Sequence, residues 1–272
     1  MMQFDGGVAV VTGAASGIGR ALVREAARRG MSIAAADIDA SHLATLAGEF
    51  GPDRCLTATV DVSNEDRVNQ FADEVWARFG RVDLLCNNAG VLHAGGVCET
   101  SSERWRQVVE INLFGVLYGV RAFLPPMLRR GMAAHIINTA SSAGLTATPL
   151  LGPYTVSKYG VVALSETLLF ELQAMQAPIG VSVVCPGAVA TQVARNASAT
   201  PGATQVTEWL HSGVAQGMTA TRCAEIIFEQ AAAGRFWIFT HPEMLAEVDA
   251  RTQGMHEAPA PIYVPPAGGS GR

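Results

Sequence analysis

The sequence predicts an α/β fold in which a doubly wound, seven-stranded parallel sheet carries helices on both faces. Two observations predict this fold. Short apolar segments rich in β-branched residues alternate with amphipathic helical segments along most of the chain, which is the pattern of parallel sheets with crossover helices. A glycine-rich turn also joins the first strand to the first helix, and it favours a strand order that reverses beside that strand.

The first half of the chain contains four predicted strands and three predicted helices. The strands cover about 8–11, 32–36, 55–60 and 82–86, and the helices cover about 17–30, 40–49 and 64–79. In the first helix, Ile18, Leu22 and Val23 fall on one side, as a helix packed on a sheet requires. Gly30 can end this helix.

The second half repeats the alternation at longer spacing. We predict helices at about 101–130, 153–176 and 220–233, and strands at 135–140, 181–185 and 236–240. Pro125 and Pro126 are expected to disturb the first of these helices. The stretch 190–217 is expected to be irregular or to hold a short helix near 208–216. Residues 1–254 therefore form one predicted domain, followed by a Pro/Gly-rich tail at 255–272 that is expected to be extended or poorly ordered.

Composition restricts the classes of partner. The 272 residues are 49% apolar and 16% charged, which suits a well-packed domain, and the net charge of −5 without a Lys/Arg-rich run argues against nucleic acid. The N-terminus lacks the pattern of a secretory signal, and no run of about 18 apolar residues occurs, so no membrane partner is expected.

Cysteine and histidine usage predicts neither disulfides nor a metal site. The five cysteines, an odd number without C-x-x-C spacing, are Cys55, Cys86, Cys98, Cys185 and Cys223. They are interpreted as reduced, buried thiols of a cytoplasmic protein. None of the six histidines is expected to pair with another metal-ligand residue at helical spacing.

The turn after the first strand has the spacing of a dinucleotide-binding loop. It reads Thr12-Gly13-Ala14-Ala15-Ser16-Gly17-Ile18-Gly19. Gly13 permits the tight turn, Gly17 lets the backbone approach a pyrophosphate, and Gly19 lets helix and strand pack closely. A purely structural turn is the alternative for the glycines alone. The strand before, the helix after and a following acid favour a dinucleotide on the helix N-terminus, as in a Rossmann fold.

Asp37 is that acid, and it predicts NAD rather than NADP. It ends the second strand, 18 residues beyond Gly19, where a carboxylate accepts hydrogen bonds from the adenosine ribose and repels a 2′-phosphate. Neither Ser16 nor Ile38 supplies a cation for that phosphate. An ordinary turn acid is the alternative for Asp37. Asp61 and Val62, after the third strand, would lie near the adenine, although Asp61 also suits a helix N-terminal turn.

Tyr154 and Lys158 share one face of a predicted helix at spacing i, i+4. An unperturbed tyrosine has a pKa of about 10, which is too high for a base near neutrality. A neighbouring ammonium favours the phenolate, so we expect Lys158 to lower the pKa of Tyr154. Alone, the pair is equally typical of any amphipathic helix.

Taken together, the motifs resemble the short-chain dehydrogenase/reductase family over about residues 6–192 and the last helix and strand. The matching motifs are Thr12-Gly13-x3-Gly17-x-Gly19, Asn87-Asn88-Ala89-Gly90, Asn112, Ser141, Tyr154-x3-Lys158 and Pro186-Gly187. Each motif is loose, but their joint occurrence in one order is specific.

The resemblance implies an NAD-dependent oxidoreductase and roles for the matched residues. Tyr154 would be the general acid/base, and Lys158 would lower its pKa and bind the nicotinamide ribose. Ser141, 13 residues before Tyr154, would stabilise charge on the substrate oxygen. Asn112 would hold a water that links Lys158 to solvent.

Other matched positions would contact the cofactor. The Asn88-Ala89-Gly90 turn would approach the adenosine ribose. Pro186, Gly187, Val189 and Thr191 would place backbone groups and a hydroxyl against the carboxamide and phosphates.

The family's variable substrate positions are apolar here, and a small apolar alcohol or ketone is therefore expected as the partner. The expected contributors are Leu92, Leu145, Leu150, Leu151, Trp209, Leu210 and Met218. Arg195 is the one cation in the third variable segment, and His93 either borders the cleft or is a plain loop histidine. Packing within the chain or against another subunit is the alternative for the apolar residues.

Three other interpretations stay open from the sequence. They are an NAD-binding regulatory or redox-sensing protein, a structural subunit, and an NADPH-dependent carbonyl reductase of the same fold. The apolar helices at about 101–130 and 153–176 predict a homo-oligomer, a tetramer rather than a dimer.

Overall fold

Seven parallel strands form the middle layer of the structure, a computed structural model that describes residue 4, residues 6–195 and residues 197–257. Within those ranges, the side chains at 194, 195, 201, 204, 205 and 209 are not described. In spatial order the strands are Trp237–Phe239 (β11), Ile179–Cys185 (β7), Ala134–Thr139 (β6), Leu84–Asn87 (β4), Val8–Thr12 (β1), Ser32–Asp37 (β2) and Cys55–Thr59 (β3). The order reverses between β1 and β4, which confirms the predicted doubly wound sheet.

Helices cover both faces of this sheet. Those of at least eight residues are Gly17–Arg28 (α1), Ala40–Phe50 (α2), Glu65–Phe79 (α3), Ser102–Val109 (α4), Gly115–Arg130 (α5), Gly152–Ala174 (α6), Thr204–Ala215 (α8), Ala220–Ala232 (α9) and Leu245–Glu257 (α10). Helix α7 is the single turn Gln192–Arg195. Within β1, Ala9 and Val11 pack with α1 and α9, whereas Val10 packs with α3 and α5 on the other face. Successive strand residues point to opposite faces, so a strand buried on both faces is apolar throughout.

The predicted helix at 101–130 contains a π-helical turn, Glu110–Phe114, between α4 and α5. Pro125 and Pro126 lie inside α5 and do not end it, so the interruption of this stretch lies at the π-helical turn. The wider turn places Asn112 in the interior, where it is fully buried. A π-helical turn is rare and frequently marks a functional site.

The segment 190–217 is more ordered than expected. Helix α8 begins at Thr204 rather than near residue 208, and two short parallel pairs flank it. Val189–Ala190 (β8) pairs with Met218–Thr219 (β10), and His93–Ala94 (β5) pairs with Ser198–Ala199 (β9).

The predicted tail begins inside a helix that the sequence analysis missed. Helix α10 continues past Gly254 to Glu257, so the expectation of an extended tail was wrong for 255–257. None of the residues of α10 is buried, which explains why no apolar periodicity indicated it. The rest of the tail, 258–272, lies outside the described residues.

One expectation about exposure also needs correction. Cys98 is exposed, whereas the other four thiols are buried as expected.

Among the described residues, the helical stretch Ser102–Arg130 is long and apolar enough to cross a membrane by length and composition alone, and 39% of its most apolar window is buried. Its α5 portion packs against α3 and carries part of the core, as helices of sheet-containing domains do.

A buried carboxylate joins the start of β1 to the start of β4. The Val8 N–H donates to Asp83 Oδ2 at 2.8 Å, Arg81 contacts both oxygens at 2.7 and 2.8 Å, and Arg130 Nη1 donates to Oδ1 at 3.1 Å. Burial alone raises the pKa of Asp83, but the hydrogen bonds from Arg81, Val8 and Arg130 outweigh it and lower that pKa below its usual value. The ionised form therefore stabilises the fold.

We expect Asp83→Asn to lower the free energy of unfolding by about 2 kcal/mol at pH 7, because charge-assisted hydrogen bonds are lost. Since the pKa of Asp83 is lower in the folded state, the contribution is present above the unfolded pKa and vanishes as the pH falls. Urea unfolding between about pH 7 and pH 2 measures this difference. Asp53→Asn, at an exposed carboxylate 3.9 Å from Arg78, is the control and should leave stability unchanged. A difference between Asp83→Asn and wild type that persists down to pH 2 would contradict the assignment.

Candidate active site

A cleft of about 570 Å³ opens at the carboxyl edge of the sheet, beside the reversal of strand order. Seventeen of the predicted site residues line it, namely Gly13, Ser16, Gly17, Ile18, Asp37, Asp61, Val62, Asn88, Ala89, Gly90, Ser141, Tyr154, Lys158, Pro186, Gly187, Val189 and Thr191. Gly19 and Asn112 do not line the cleft and lie behind its wall. The carboxyl ends of parallel strands meet at one edge, which explains how residues so distant in sequence converge.

The glycine loop has no room for side chains where it meets the neighbouring turn. Gly13 has φ +65°, and a Cβ there would lie 2.7 Å from Ala89 Cα. A Cβ on Gly19 would collide with the Gly13 carbonyl. Ser16 caps α1 without a side-chain hydrogen bond, and no acid lies in the first turn. The N–H groups and the positive dipole end of α1 are therefore available to an anion.

Thr12 fixes the distance between the glycine loop and the Asn-Asn-Ala-Gly turn. Its Oγ1 accepts hydrogen bonds from the N–H groups of Asn88 and Ala89 at 3.0 and 3.2 Å. Asn88 Nδ2 donates back to the Thr12 carbonyl at 3.1 Å. These bonds hold together two neighbouring loops that both line the cleft. The sequence analysis gave Thr12 no role of its own, although it opens the motif.

Asp37 lies at the end of β2 with its carboxylate oriented by backbone groups. Oδ2 accepts from the Ala15 N–H at 2.9 Å, and Oδ1 accepts from the Asp39 N–H at 3.0 Å. The neighbouring Ile38 also lines the cleft and is 70% exposed. Asp37 therefore links the glycine loop to β2 and still faces the space where a ribose would bind.

Positive charge is sparse along the cleft. Among the described side chains that line it, Lys158 is the one Lys or Arg. Arg20 does not line the cleft, and its charge instead helps to lower the pKa of Glu49 on α2. The side chain of Arg195, which the sequence analysis noted as a cation, is not described.

Ser141, Tyr154 and Lys158 meet on one wall of the cleft. Lys158 Nζ lies 5.7 Å from the centre of the Tyr154 ring and donates to the Thr139 carbonyl at 2.8 Å. Burial lowers the pKa of Lys158 to about 8. Ser141 Oγ accepts from the Ala143 N–H at 3.2 Å, and Ser141 also hydrogen-bonds the Tyr154 phenol.

The pKa of Tyr154 differs from the expectation. Burial raises it above its ordinary value, and the hydrogen bond with Ser141 offsets only part of that rise. A lowering of the Tyr154 pKa by Lys158, as expected from the sequence, is not found in the protein alone, where the lysine is buried and donates to the Thr139 carbonyl. A lower pKa therefore requires a further group in the cleft that favours the phenolate.

Asn112 connects the π-helical turn to the two segments that flank it. Its Oδ1 accepts from the Val91 N–H at 2.8 Å, and its Nδ2 donates to the Val91 carbonyl at 2.9 Å and to Ser157 Oγ at 3.1 Å. Ser157 Oγ in turn donates to the Tyr154 carbonyl at 2.7 Å. Both amide hydrogens of Asn112 are thus used by protein atoms. The predicted water would need its backbone carbonyl or the remaining lone pair of Oδ1.

Sequence reasoning gave no role to Ser157, although it lies three residues after Tyr154. That spacing puts its side chain on the same helix face, which was the available signal.

The far end of the cleft is formed partly by residues 192–215, which we call the substrate loop. Leu92, Leu151 and Leu210 line the cleft as expected. Leu145, Leu150 and Met218 do not, because Leu145 packs in the core, Leu150 lies behind the lining, and Met218 packs under β8. The Trp209 side chain is not described. The polar lining residues that sequence reasoning missed are Gln107, Thr139, Ser142, Thr148 and Gln192.

Histidines lie away from the cleft lining. His93 lies in the short strand β5, is buried and bonds Ser198, and it is not itself part of the cleft lining. His135 packs in the sheet as expected. His42 contacts Asp39 at 2.6 Å, against the expectation that no histidine pairs at helical spacing. The described residues nevertheless contain no group of three or more side chains suited to a metal ion.

Comparisons with known proteins agree with this geometry. A family model described as short chain dehydrogenase matches residues 7–202. A crystal structure of a short chain dehydrogenase/reductase from Burkholderia phymatum in complex with NAD superposes with a TM-score of 0.91 at 38% identity, covering 97% of this chain and 100% of that one.

Two curated relatives are named as dehydrogenases of hydroxylated compounds. The 1-deoxy-11-beta-hydroxypentalenate dehydrogenase of Streptomyces exfoliatus is 34% identical over 89% of this chain and 86% of its own. The 3beta-hydroxysteroid dehydrogenase 2 of Eggerthella lenta is 36% identical over 69% of this chain and 73% of its own.

Proposed function

The chain belongs to the short-chain dehydrogenase family and is therefore an oxidoreductase of hydroxyl or keto groups, and within that class we propose that it transfers a hydride between NAD and an apolar secondary alcohol or its ketone. The observation that carries this proposal is the meeting of Ser141, Tyr154 and Lys158 on one wall of a cleft that extends to Asp37 and the N-terminus of α1.

The residues present fit a nicotinamide dinucleotide. A Cβ on Gly13 would lie 2.7 Å from Ala89 Cα and one on Gly17 would lie 3.0 Å from Thr191 Cβ. Glycines therefore keep this loop against its neighbours, beside the uncapped N-terminus of α1, where a pyrophosphate would bind. Asp37 would accept hydrogen bonds from the adenosine ribose, and Asp61 and Val62 would border the adenine. Val189 and Thr191 lie beside the same cleft, where the carboxamide would bind. When bound, the nicotinamide supplies the hydride acceptor or donor.

The chain's own residues would manage the proton. Tyr154 would take the alcohol proton at its phenolic oxygen during oxidation and return it during reduction. The Ser141 hydroxyl would donate a hydrogen bond to the substrate oxygen as negative charge develops there. Lys158, as an ammonium, would stabilise the phenolate, and the pKa of about 8 in the protein alone leaves a large ammonium fraction at neutral pH.

Charge distribution supports NAD over NADP. A 2′-phosphate would lie beside the Asp37 carboxylate, and neither Ser16 nor Ile38 would offset the repulsion. Arg20 lies near Glu49 instead. The Burkholderia phymatum structure holds NAD, which agrees with this proposal without deciding it.

The lining of the substrate end supports an apolar substrate. Leu92, Leu151 and Leu210 dominate it, and a polyanion would require several cations that the described lining does not provide. The two relatives are named for hydroxylated pentalenate and steroid compounds. A few polar residues, including Gln107 and Thr148, would orient such a substrate.

We also propose that the chain is a cytoplasmic enzyme whose first 254 residues, extended by the end of α10, act as one domain. Four buried, unpaired thiols agree with a reducing compartment.

Tyr154→Phe is expected to retain NAD binding and to lower kcat by at least about two orders of magnitude, because the acid/base is lost. Initial rates with a panel of secondary alcohols, with NAD affinity by calorimetry, measure both quantities. Tyr159→Phe is a matched control: it removes a hydroxyl from the same helix, one that donates to the Leu145 carbonyl outside the cleft. Turnover of Tyr154→Phe close to that of Tyr159→Phe would refute the role.

The wild-type enzyme should show a kcat/KM with NAD at least one to two orders of magnitude above that with NADP, at 1.4 kcal/mol per tenfold. Asp37→Asn with Ile38→Arg should narrow or reverse this preference, because repulsion is removed and a phosphate partner is added. Asparagine keeps an acceptor for the Ala15 N–H. Asp37→Asn with Ile38→Gln separates the two effects. Equal kinetics of the wild type with both cofactors would instead support an NADPH-dependent reductase or a misplaced Asp37.

We propose further that the chain forms a homo-oligomer through α5 and α6, a tetramer rather than a dimer. Helix α6 is apolar around much of its surface and exposes Phe170 (63%) and Val156 (52%). Light scattering at micromolar concentration should give the mass of several subunits, and Phe170→Arg should reduce it by burying a charge at the interface. A monomer mass for the wild type would exclude this assembly.

A further inference from the structure

The short segment 93–95 lies between two parts of the molecule that must come together around a substrate. On one side, His93 and Ala94 pair in parallel with Ser198 and Ala199 of the substrate loop. On the other side, the Gly95 N–H donates to the Leu150 carbonyl at 2.7 Å, in the loop that leads into α6 and Tyr154. The segment therefore connects the substrate loop to the helix that carries the proposed acid/base.

His93 adds a side-chain contact to this pairing. It is only 5% exposed, and its Nδ1 lies 2.8 Å from Ser198 Oγ. Burial, together with the nearby positive charge of Arg104, lowers the pKa of His93, so the imidazole is neutral near pH 7. A neutral imidazole and a serine hydroxyl can hydrogen-bond with either group as donor.

The surroundings of His93 leave little space for it to move. A Cβ on Gly95 would lie 2.6 Å from Thr100 Oγ1 and 3.1 Å from His93 Nε2, so only glycine fits between them. Leu150 adopts φ +62°, an uncommon conformation for leucine, while its carbonyl accepts the Gly95 bond. The packed setting thus holds the imidazole in the orientation that reaches Ser198.

The pairing encloses the apolar end of the cleft. Leu92, Ala94 and Leu151 from the body of the domain form one buried cluster with Ala203 of the substrate loop, and Tyr154 packs against it. Among the described residues, the loop makes few other hydrogen bonds here: the Thr200 N–H donates to the Ala94 carbonyl at 2.9 Å, and Thr200 Oγ1 donates to Glu99 at 3.4 Å on the exposed surface. The His93–Ser198 bond is the shorter of the two side-chain bonds, and its loss should therefore loosen the loop measurably.

We propose that His93 is a positioning residue whose bond to Ser198 holds the substrate loop closed over the apolar end of the cleft. Its effect is on substrate retention, not on the chemical step. The loop contact stands on the geometry alone, whereas the identity of the retained substrate, an apolar alcohol or ketone, rests on the proposed function.

Trypsin tests the loop contact without any assay of catalysis. Arg195 is the sole Lys or Arg between residues 192 and 221. Trypsin must bind several extended residues on each side of the bond it cuts, and these reach Ser198, so the rate of cleavage after Arg195 reports release of the Ser198–Ala199 pairing. His93→Ala and Ser198→Ala should each speed this cleavage about three- to tenfold, the equivalent of one lost neutral hydrogen bond, and the double variant should be no faster than either. Cleavage is followed by mass spectrometry of the fragments.

Controls separate loop opening from general loosening. Thr207→Ala removes a hydroxyl whose bond to the Ala203 carbonyl stays within the loop, and it should leave the cleavage rate unchanged. Ser198→Ala acts from the loop side, so it keeps the test valid if His93→Ala folds poorly. Unchanged cleavage after Arg195 in both His93→Ala and Ser198→Ala would overturn the proposal. Equally faster cleavage at all tryptic sites in these variants would overturn it as well.

Steady-state kinetics then test the consequence for substrate. Both single variants should raise KM for an apolar secondary alcohol about three- to tenfold and leave kcat and the KM for NAD within about twofold. A fall in kcat with unchanged KM would overturn the positioning role. An enzyme inactive toward every alcohol, but with the predicted cleavage pattern, would instead refute the proposed function and leave the loop contact standing.

Discussion

The hydrogen bonds of the buried Asn112 side chain hold together the three segments on which the site depends. Through Val91 they fix the segment after the Asn-Asn-Ala-Gly turn, and through Ser157 they fix the first turn of α6 around Tyr154. The amide reaches both because the π-helical turn places it inside the domain, fully buried. An apolar side chain there would leave the Val91 N–H and carbonyl without their partner, at a cost of about 1–3 kcal/mol for each buried group.

A second buried chain of polar side chains lies deeper and ties the same elements together. Asn87 Nδ2 donates to Asn138 Oδ1 at 2.9 Å, and Asn138 Nδ2 donates to Ser165 Oγ at 3.0 Å. These bonds join β4, β6 and α6 beneath the cleft. Together with Thr12, which holds the glycine loop to the Asn-Asn-Ala-Gly turn, they give the site a rigid base. Among the described residues, the far end of the cleft, at the substrate loop, is held by fewer hydrogen bonds than this base.

Much of the fold could be predicted from the sequence because its signals are local. Strands such as β1 are apolar throughout since both faces are buried, and the glycine loop needs residues without a Cβ. The π-helical turn could not be predicted, because α5 is apolar on several sides and so hides the rotation of about 100° that one extra residue gives to the following helix. Helix α10 buries nothing and so has no periodicity to detect.

The residues that form the site could be predicted from the sequence, whereas the shift in the pKa of Tyr154 could not. The motifs identified the residues that line the cleft, whereas the raised pKa of Tyr154 arises from burial, which only the folded chain determines. In the same way, the resemblance placed Leu145 and Met218 among the variable substrate positions, whereas the folded chain packs both against its core. Whether this cleft transfers a hydride directly from a carbinol carbon to a nicotinamide is tested most directly by isotope transfer. Apolar secondary alcohols deuterated at the carbinol carbon, incubated with the enzyme and NAD, should yield reduced nucleotide one mass unit heavier than that from unlabelled alcohol. Reduced nucleotide without the label, or none from any alcohol in the panel, would contradict direct hydride transfer in this cleft.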